Sequence, residues 1–250
     1  MNEKRWSAVQ ILAFGFALII CMGGLLLSLP VASRGGAGIP FLNALFTSAS
    51  ATCVTGLVLY DTWTQFTYFG QTVILLLIQI GGLGFMAIAI LFSLALGRRI
   101  SLRERSLLAE AISSMQVGGV VRLVRRMLIG TAIFEGVGAA LLAIRFVPLF
   151  GAGRGIWLSV FHSVSAFCNA GFDLMGLRAP SSSLTSLSGD PLVVLTIAML
   201  IIVGGIGFVV WNDLIESRFC YKKLRLHTRV ALFSTLALLL VGTVAFAYLE

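Results

Sequence analysis

The sequence predicts an all-α membrane protein with five transmembrane spans and two re-entrant pore helices, arranged as tandem span/pore-helix/span repeats. Of its 250 residues 58% are hydrophobic and only 11% are charged, and the mean hydropathy is +1.01. Soluble domains carry about 25% charged residues. This composition excludes a water-soluble globule, and the repeated order of long and short apolar runs predicts the tandem arrangement.

The net charge of +8 does not indicate a nucleic-acid-binding protein, because the basic residues cluster between apolar runs. Fourteen of the 18 basic residues lie within the stretches 4–5, 98–126 and 218–229. The positive-inside rule keeps such loops in the cytoplasm. The pattern therefore predicts a multi-pass protein that contacts lipid, has a cytoplasmic N-terminus and binds no nucleic acid.

The lengths of the apolar runs distinguish full spans from half-helices. A helix needs about 20 apolar residues to cross a bilayer, whereas runs of about 10 to 14 are typical of buried or re-entrant segments. Runs 39–52 and 156–167 are of the shorter kind, and they predict the pore helices. The five predicted spans are 11–29, 68–96, 127–144, 191–211 and 230–249.

An internal duplication sets the predicted domain organisation. Residues 44–56 align with 159–171 through shared Phe, Ser, Ser, Ala, Cys and Gly, and 80–85 align with 203–208. Both copies run outward first, which predicts parallel repeats about an axis along the membrane normal and suits a central pore. The predicted units are a first repeat over 1–97, a cytoplasmic link over 98–121, a second repeat over 122–216, and a link with the first span of an incomplete third repeat over 217–250.

The residues that follow the two half-helices are the candidate functional site. Non-helical backbone at membrane depth is tolerated where it lines a water-filled cavity or is buried in protein. Gly56 and Gly171 permit backbone angles with which consecutive carbonyls can face one axis, and rings of carbonyls replace the water shell of an alkali cation. The C-terminal end of each half-helix adds partial negative charge. These segments therefore predict a cation-binding filter.

Three segments together resemble the Trk/Ktr/HKT superfamily of potassium transporters, most closely the bacterial Ktr membrane subunit. They are Thr-Cys-Val-Thr-Gly-Leu at 52–57, Phe-Cys-Asn-Ala-Gly-Phe-Asp at 167–173 and Gln-Ile-Gly-Gly-Leu-Gly-Phe at 79–85. The resemblance covers nearly the whole chain. It implies repeats of potassium-channel type in a bacterial inner membrane, and potassium uptake without enzymatic chemistry.

The resemblance also assigns the ion-binding groups and the partners. It implies potassium as the substrate ion, no covalently bound cofactor, a homodimer and a cytosolic nucleotide-binding regulatory ring, with sodium dependence left open. Cys53 and Cys168 would lie deepest in the filter. The backbone carbonyls that would coordinate potassium are those of Val54, Thr55, Gly56, Asn169, Ala170 and Gly171.

Two alternatives concern completeness and selectivity. Family members have four repeats around one pore, so either this sequence continues beyond residue 250 or two chains share a pore, and the odd fifth span favours continuation. Glycine at both filter positions resembles the potassium-selective members. Sodium or non-selective cation permeation, or secondary transport of a small solute, remains the alternative function.

Two residues inside apolar runs have competing interpretations. His162 could pair with Cys168 or Cys53 in a thiol enzyme, but a packed, hydrogen-bonded histidine is favoured because no third orienting group is evident. Glu135 is a functional candidate, because a charge within a span is expensive. Its alternative is a structural pair with Arg126.

Three further features have simpler alternatives. Asp61 and Asp173 follow the two filter segments, where they either concentrate cations or cap the loops. The Gly-Gly-x-Gly clusters at 81–84 and 204–207 predict close helix packing in lipid and not a nucleotide loop. The four cysteines show no metal-ligand spacing.

Overall fold

The computed structural model describes residues 8–84 and 120–249, and all regular secondary structure in these ranges is helical. The all-α prediction is confirmed for this part of the chain. Residues 85–96 of the second predicted span and the basic stretches 4–5 and 98–119 lie outside it. The α-helices are α1 (Ala8–Ser28), α2 (Phe41–Thr52), α3 (Thr62–Gln65), α4 (Tyr68–Leu83), α5 (Val120–Phe150), α6 (Ala152–Phe167), α7 (Pro191–Gly205), α8 (Phe208–Glu216) and α9 (Leu226–Leu249).

Several of these helices have the length and composition of membrane spans. Within the described residues, Val124–Phe150 and Leu226–Leu249 are each long and apolar enough to cross a membrane. The bent pair α7 and α8 passes the same test if it counts as one span. Helix α4 and the segment Leu12–Ser28 of α1 are apolar but shorter.

The predicted span over 191–211 is not one straight helix but a pair of helices with a bend between them. Helix α7 ends at Gly205, α8 begins after Gly207, and the two axes differ by 87°. Gly207 has a φ of 93°, outside the helical region. The indole nitrogen of Trp211 donates a hydrogen bond to the Val203 carbonyl over 3.1 Å. This side chain therefore supplies a hydrogen-bond donor to a carbonyl in the last turn of α7.

The second short helix also differs from its predicted bounds. Helix α6 begins at Ala152 instead of 156, directly after Gly151 with a φ of 81°. Residues 152–155 are Ala-Gly-Arg-Gly, so hydropathy alone could not identify them as helical. Helix α5 likewise extends well beyond the predicted 127–144. Its first turns carry arginines, so hydropathy did not include them in the predicted span.

The helices form two similar groups. In one, α1 and α4 pack on α2; in the other, α5 and α7 pack on α6. Contacts between α4 and α6 join the groups. The Trp157 indole also donates to the fully buried Gln71 over 2.7 Å, and the Tyr68 ring meets Trp157 edge-on. Helix α6 is thereby held against α4.

Glycines bring the longer helices against the ends of the short ones. A Cβ atom built on Gly81 would lie 2.0 Å from the Thr52 carbonyl oxygen, and one on Gly204 would lie 1.8 Å from that of Phe167. The prediction of close packing is confirmed at these positions. Gly84, by contrast, has open space and a φ of 80°, so it ends α4 and makes no tight contact.

Candidate functional site

The first predicted filter segment, 53–56, starts where α2 ends. Val54 has a φ of 56°, and its N–H donates to the Ala51 carbonyl over 3.3 Å. The N–H of Thr55 donates to the Ser50 carbonyl over 3.0 Å. This pair of bonds around a left-handed residue is the Schellman ending, which turns the chain sharply away from the helix.

The second predicted segment, 168–171, leaves α6 in the same way. Asn169 has a φ of 58° and donates to the Ala166 carbonyl over 3.0 Å, while Ala170 donates to Ser165 over 2.8 Å. Asparagine adopts the left-handed region more readily than most residues. Both segments therefore follow the same backbone path, although their side chains differ.

The structure brings the two segments together at their glycines. Gly56 and Gly171 have φ values of 76° and 74°. A Cβ atom built on Gly56 would lie 3.0 Å from the Ala170 carbonyl oxygen, and one on Gly171 would lie 3.3 Å from the Gly56 Cα atom. A side chain at either position would be strained by its φ and would press on the neighbouring backbone.

The predicted site residues differ in exposure. Ala170 is completely buried, whereas the others keep access to the surface. The exposed residues are Cys53, Thr55, Asn169 and Gly171, and the half-buried ones are Val54, Gly56 and Cys168. Within residues 8–84 and 120–249 no group of three or more His, Cys, Asp or Glu could hold a metal ion.

Hydroxyl groups brace both segments from behind. The Thr55 hydroxyl donates to the Ser50 hydroxyl over 2.9 Å in the first. In the second, the buried Ser165 hydroxyl donates to the Phe172 carbonyl over 2.6 Å. Serine occupies the same place in each short helix, but its hydrogen bond fixes a different residue.

Both ring nitrogens of His162 are engaged with backbone. The buried ring lies with Nδ1 2.7 Å from the Leu158 carbonyl oxygen, and Nε2 accepts the N–H of Leu174 over 3.3 Å. This geometry assigns the proton to Nδ1. The prediction of a packed, hydrogen-bonded histidine is confirmed, and His162 ties α6 to the loop after the filter segment.

Of the two interpretations of Glu135, the structural pair with Arg126 is not formed. Arg126 instead forms an ion pair with Glu216 at 3.2 Å. The Glu135 carboxylate accepts a hydrogen bond from Gln79 over 3.2 Å and lies 4.0 Å from the Cys168 sulfur. Sequence reasoning missed Gln79, whose only signal was an amide within an otherwise apolar run.

The two aspartates that follow the segments cap loops. Asp61 accepts the N–H of Thr64 over 2.8 Å and that of Ser181 over 2.9 Å, which joins the two loops. Asp173 accepts the N–H of Met175 over 2.8 Å. Of the two interpretations of these carboxylates, the hydrogen bonds from backbone N–H groups support loop capping.

The electrostatics of the site favour a cation. Helices α2 and α6 both direct their C-terminal ends at the paired segments, and each such end carries about half a negative charge. The carbonyl groups of non-helical backbone add further negative dipoles. Dipoles of this sign attract a cation.

Comparisons with known proteins agree with this chemistry. A family model described as "TrkH: Cation transport protein" matches residues 19–247. The chain is 43% identical over 248 residues to the potassium/sodium uptake protein NtpJ of Enterococcus hirae, covering 99% of this chain and 54% of that protein.

Two further relatives are named Ktr system potassium uptake protein B. The one from Bacillus subtilis is 45% identical over 246 residues, 98% of this chain and 54% of that protein. The one from Vibrio alginolyticus is 40% identical over 250 residues, 100% of this chain and 53% of that protein. The chain thus spans about half the length of the curated relatives it matches.

Proposed function

Because the chain belongs to the TrkH family of cation transport proteins, a family of transporters and not of enzymes, we propose that it forms part of a potassium uptake pathway. It is a multi-pass membrane protein. We place it in a bacterial inner membrane with a cytoplasmic N-terminus, as two span/pore-helix/span repeats over 1–97 and 122–216 and a further span in α9. Helices α2 and α6 are the re-entrant pore helices of this proposal.

The paired backbone strands are the observation that carries the proposal. Residues 54–56 and 169–171 follow the same path, meet at Gly56 and Gly171, and begin at the negative ends of two helices. Their carbonyls would replace the water around a dehydrated potassium ion. Cys53 and Cys168, which cap the helices, would lie deepest along the path.

Two strands line one side of an axis, so the proposed filter needs further strands to surround an ion. Either additional repeats of a longer chain or a second chain would supply them. The cargo is the potassium ion, and no covalently bound cofactor is required. Sodium or non-selective cation permeation remains the alternative, since one relative is named a potassium/sodium uptake protein.

Regulation by partners is a further part of the proposal. Two of the relatives are named as proteins of a Ktr system, which implies a membrane subunit working with a separate component. We extend this to a homodimer of membrane subunits on a cytosolic nucleotide-binding ring. Purification of the complete transporter with and without the ring, followed by measurement of its mass, tests this assembly.

A glycine substitution in the complete transporter tests the filter. In Gly56→Ser, the new Cβ atom would lie 3.0 Å from the Ala170 carbonyl oxygen. The serine would also have to adopt a φ of 76°, which strains any residue with a side chain. Loss of about 1.4 kcal/mol of discrimination would lower the potassium-to-sodium flux ratio about tenfold in liposomes. Gly36→Ser is the matched control, since Gly36 has a φ of 67° and open space around it. A flux ratio unchanged in Gly56→Ser would overturn the filter assignment.

A further inference from the structure

An apolar groove lies where α8 bends away from α7, and the proposed filter does not use it. The groove has a volume of about 460 Å³ and lies between α5 and the bent pair. The side chains along its rim are well exposed, including Ile133, Ile215 and Phe219. Its apolar wall includes Phe134, Phe167, Val203, Phe208, Trp211 and Leu214.

The end of α8 folds one aromatic side chain back over this groove. Arg218 has a φ of 53°, its N–H donates to Ile215 over 3.2 Å, and that of Phe219 donates to Leu214 over 3.0 Å. This is again a Schellman ending, whose usual apolar contact joins residues in the places of Phe219 and Leu214. Both of these side chains line the groove, and Arg218 directly precedes Phe219 in the chain.

The chain on either side of Phe219, a residue that lines the groove, is basic, and most of its charge is unpaired. Arg218, Lys222 and Lys223 form no ion pair within the described part of the chain. Arg126, which lines the groove, is neutralised by Glu216. The loop after α8 therefore carries three exposed cations within four residues of Phe219 in the chain.

One residue that lines the groove has a buried hydroxyl group without a partner. Thr131 is 2% exposed, lines the groove, and its hydroxyl makes no hydrogen bond. It lies five residues beyond Arg126 along α5, a depth of about 7.5 Å from the basic end. A bound molecule with a polar group just below its charged end would satisfy this hydroxyl.

We propose that the groove binds an anionic phospholipid, with one acyl chain against α5 and the phosphate at the loop 218–223. The apolar wall fits the chain, the free cations fit the phosphate, and the Thr131 hydroxyl fits an ester carbonyl at the depth between them. Charge complementarity selects this occupant, because another apolar helix, from this chain or a second copy, would leave the three cations unpaired.

Filling the groove tests the acyl-chain part of the proposal. Gly130 lines the groove, and a Cβ atom built on it meets no other atom within 4 Å, so Gly130→Leu would extend a side chain into the groove. In the complete transporter, phosphatidylglycerol retained through purification, counted by native mass spectrometry, should fall about tenfold, which corresponds to ~1.4 kcal/mol. Gly136→Leu is the matched control, because Gly136 is an exposed glycine of α5 with open space but outside the groove.

Removing the charges tests the headgroup part and does not depend on the first variant folding. Arg218→Asn keeps a residue that tolerates positive φ, and it is combined with Lys222→Gln and Lys223→Gln. In nanodiscs of mixed lipid, the preference for phosphatidylglycerol over phosphatidylcholine should fall about fivefold for each charge removed. Equal retention in Gly130→Leu and wild type, or a headgroup preference unaffected by the triple variant, would overturn the proposal. Absence of bound lipid from the wild type, as expected if protein covers the groove, would overturn it too.

Discussion

The two proposed filter segments, 53–56 and 168–171, reach the same backbone path with different side-chain support. Ser48 donates to the Ile20 carbonyl and Ser163 to that of Glu135, both over hydrogen bonds of 2.8 Å or less. Gly81 and Gly204 press on the carbonyls that end α2 and α6. These shared contacts involve backbone atoms, serine and glycine, which indicates that they determine the path of the segments.

The differences lie behind the segments. Val54 occupies the left-handed position in the first and Asn169 in the second. His162 ties α6 to the following loop, whereas the residue 115 positions earlier is Thr47, whose hydroxyl only bonds back to Asn43 within α2. The second segment therefore has an additional brace to the loop that follows it, whereas the first has its helix ending and the Thr55–Ser50 hydrogen bond.

The largest expected effect comes from the shared glycines. Gly204→Ala and Gly81→Ala would each place a Cβ atom within 2.0 Å of a backbone oxygen, and backbone cannot move aside as a side chain can. We expect a loss of about 3 kcal/mol of stability from either change, measured as apparent Tm of the complete transporter in detergent. Gly205→Ala is the control, because its Cβ would lie 3.7 Å from Asn169. Equal Tm values for Gly204→Ala and Gly205→Ala would contradict the packing argument.

The histidine brace should produce the next largest effect, confined to the second group of helices. His162→Ala leaves the buried N–H of Leu174 without its acceptor and removes packing against Phe146. The expected loss is about 2 kcal/mol. Thr47→Ala should change the apparent Tm far less, because the Thr47 hydroxyl only donates a hydrogen bond to the Asn43 carbonyl of its own helix. A comparable loss in both variants would show that the two segments are braced alike.

Exchanging the left-handed residues should shift stability in opposite directions. Valine is β-branched and is strained at the φ of 56° seen in Val54. Val54→Asn should stabilise the transporter by about 1 kcal/mol, and Asn169→Val should destabilise it by at least as much. The comparison is made by apparent Tm at one potassium concentration. Shifts of the same sign in both variants would exclude backbone strain as the cause.

Which features could be predicted follows from the kind of contact involved. The helices and the pairing of the two segments follow from run length and from the aligned Cys and Gly residues, which are local and repeated. The 87° bend was missed because Gly-Gly-Ile-Gly is compatible with either tight packing or a break, and Trp211 acts only through a contact with Val203. The partner of Glu135 was missed because Gln79 lies on another helix, 56 residues away.

The smallest effect concerns the caps of α4 and α7, each of which stabilises its own group of helices by different chemistry. Thr67 caps α4 and donates to the Val31 carbonyl over 2.7 Å. Asp190, its counterpart, caps α7 and pairs with Arg145. The hydrogen bond from Arg145 holds the pKa of Asp190 below its usual range, and this outweighs desolvation. A carboxylate with a lowered pKa stabilises the fold above its unfolded pKa, about 3.9, and loses this as pH falls through the folded value.

Asp190→Asn isolates this ionic contribution, because asparagine is also a favourable N-cap. The difference in apparent Tm between wild type and Asp190→Asn should be small at neutral pH, since Arg145 is half exposed and exposed pairs contribute little. It should shrink further below about pH 4 and at high salt. The same scan of Thr67→Val should give a difference that does not change with pH, because a neutral hydroxyl caps α4. A difference for Asp190→Asn that does not change with pH would mean that the charges of Arg145 and Asp190 add no stability. The two caps would then stabilise the fold in the same way, through hydrogen bonds alone.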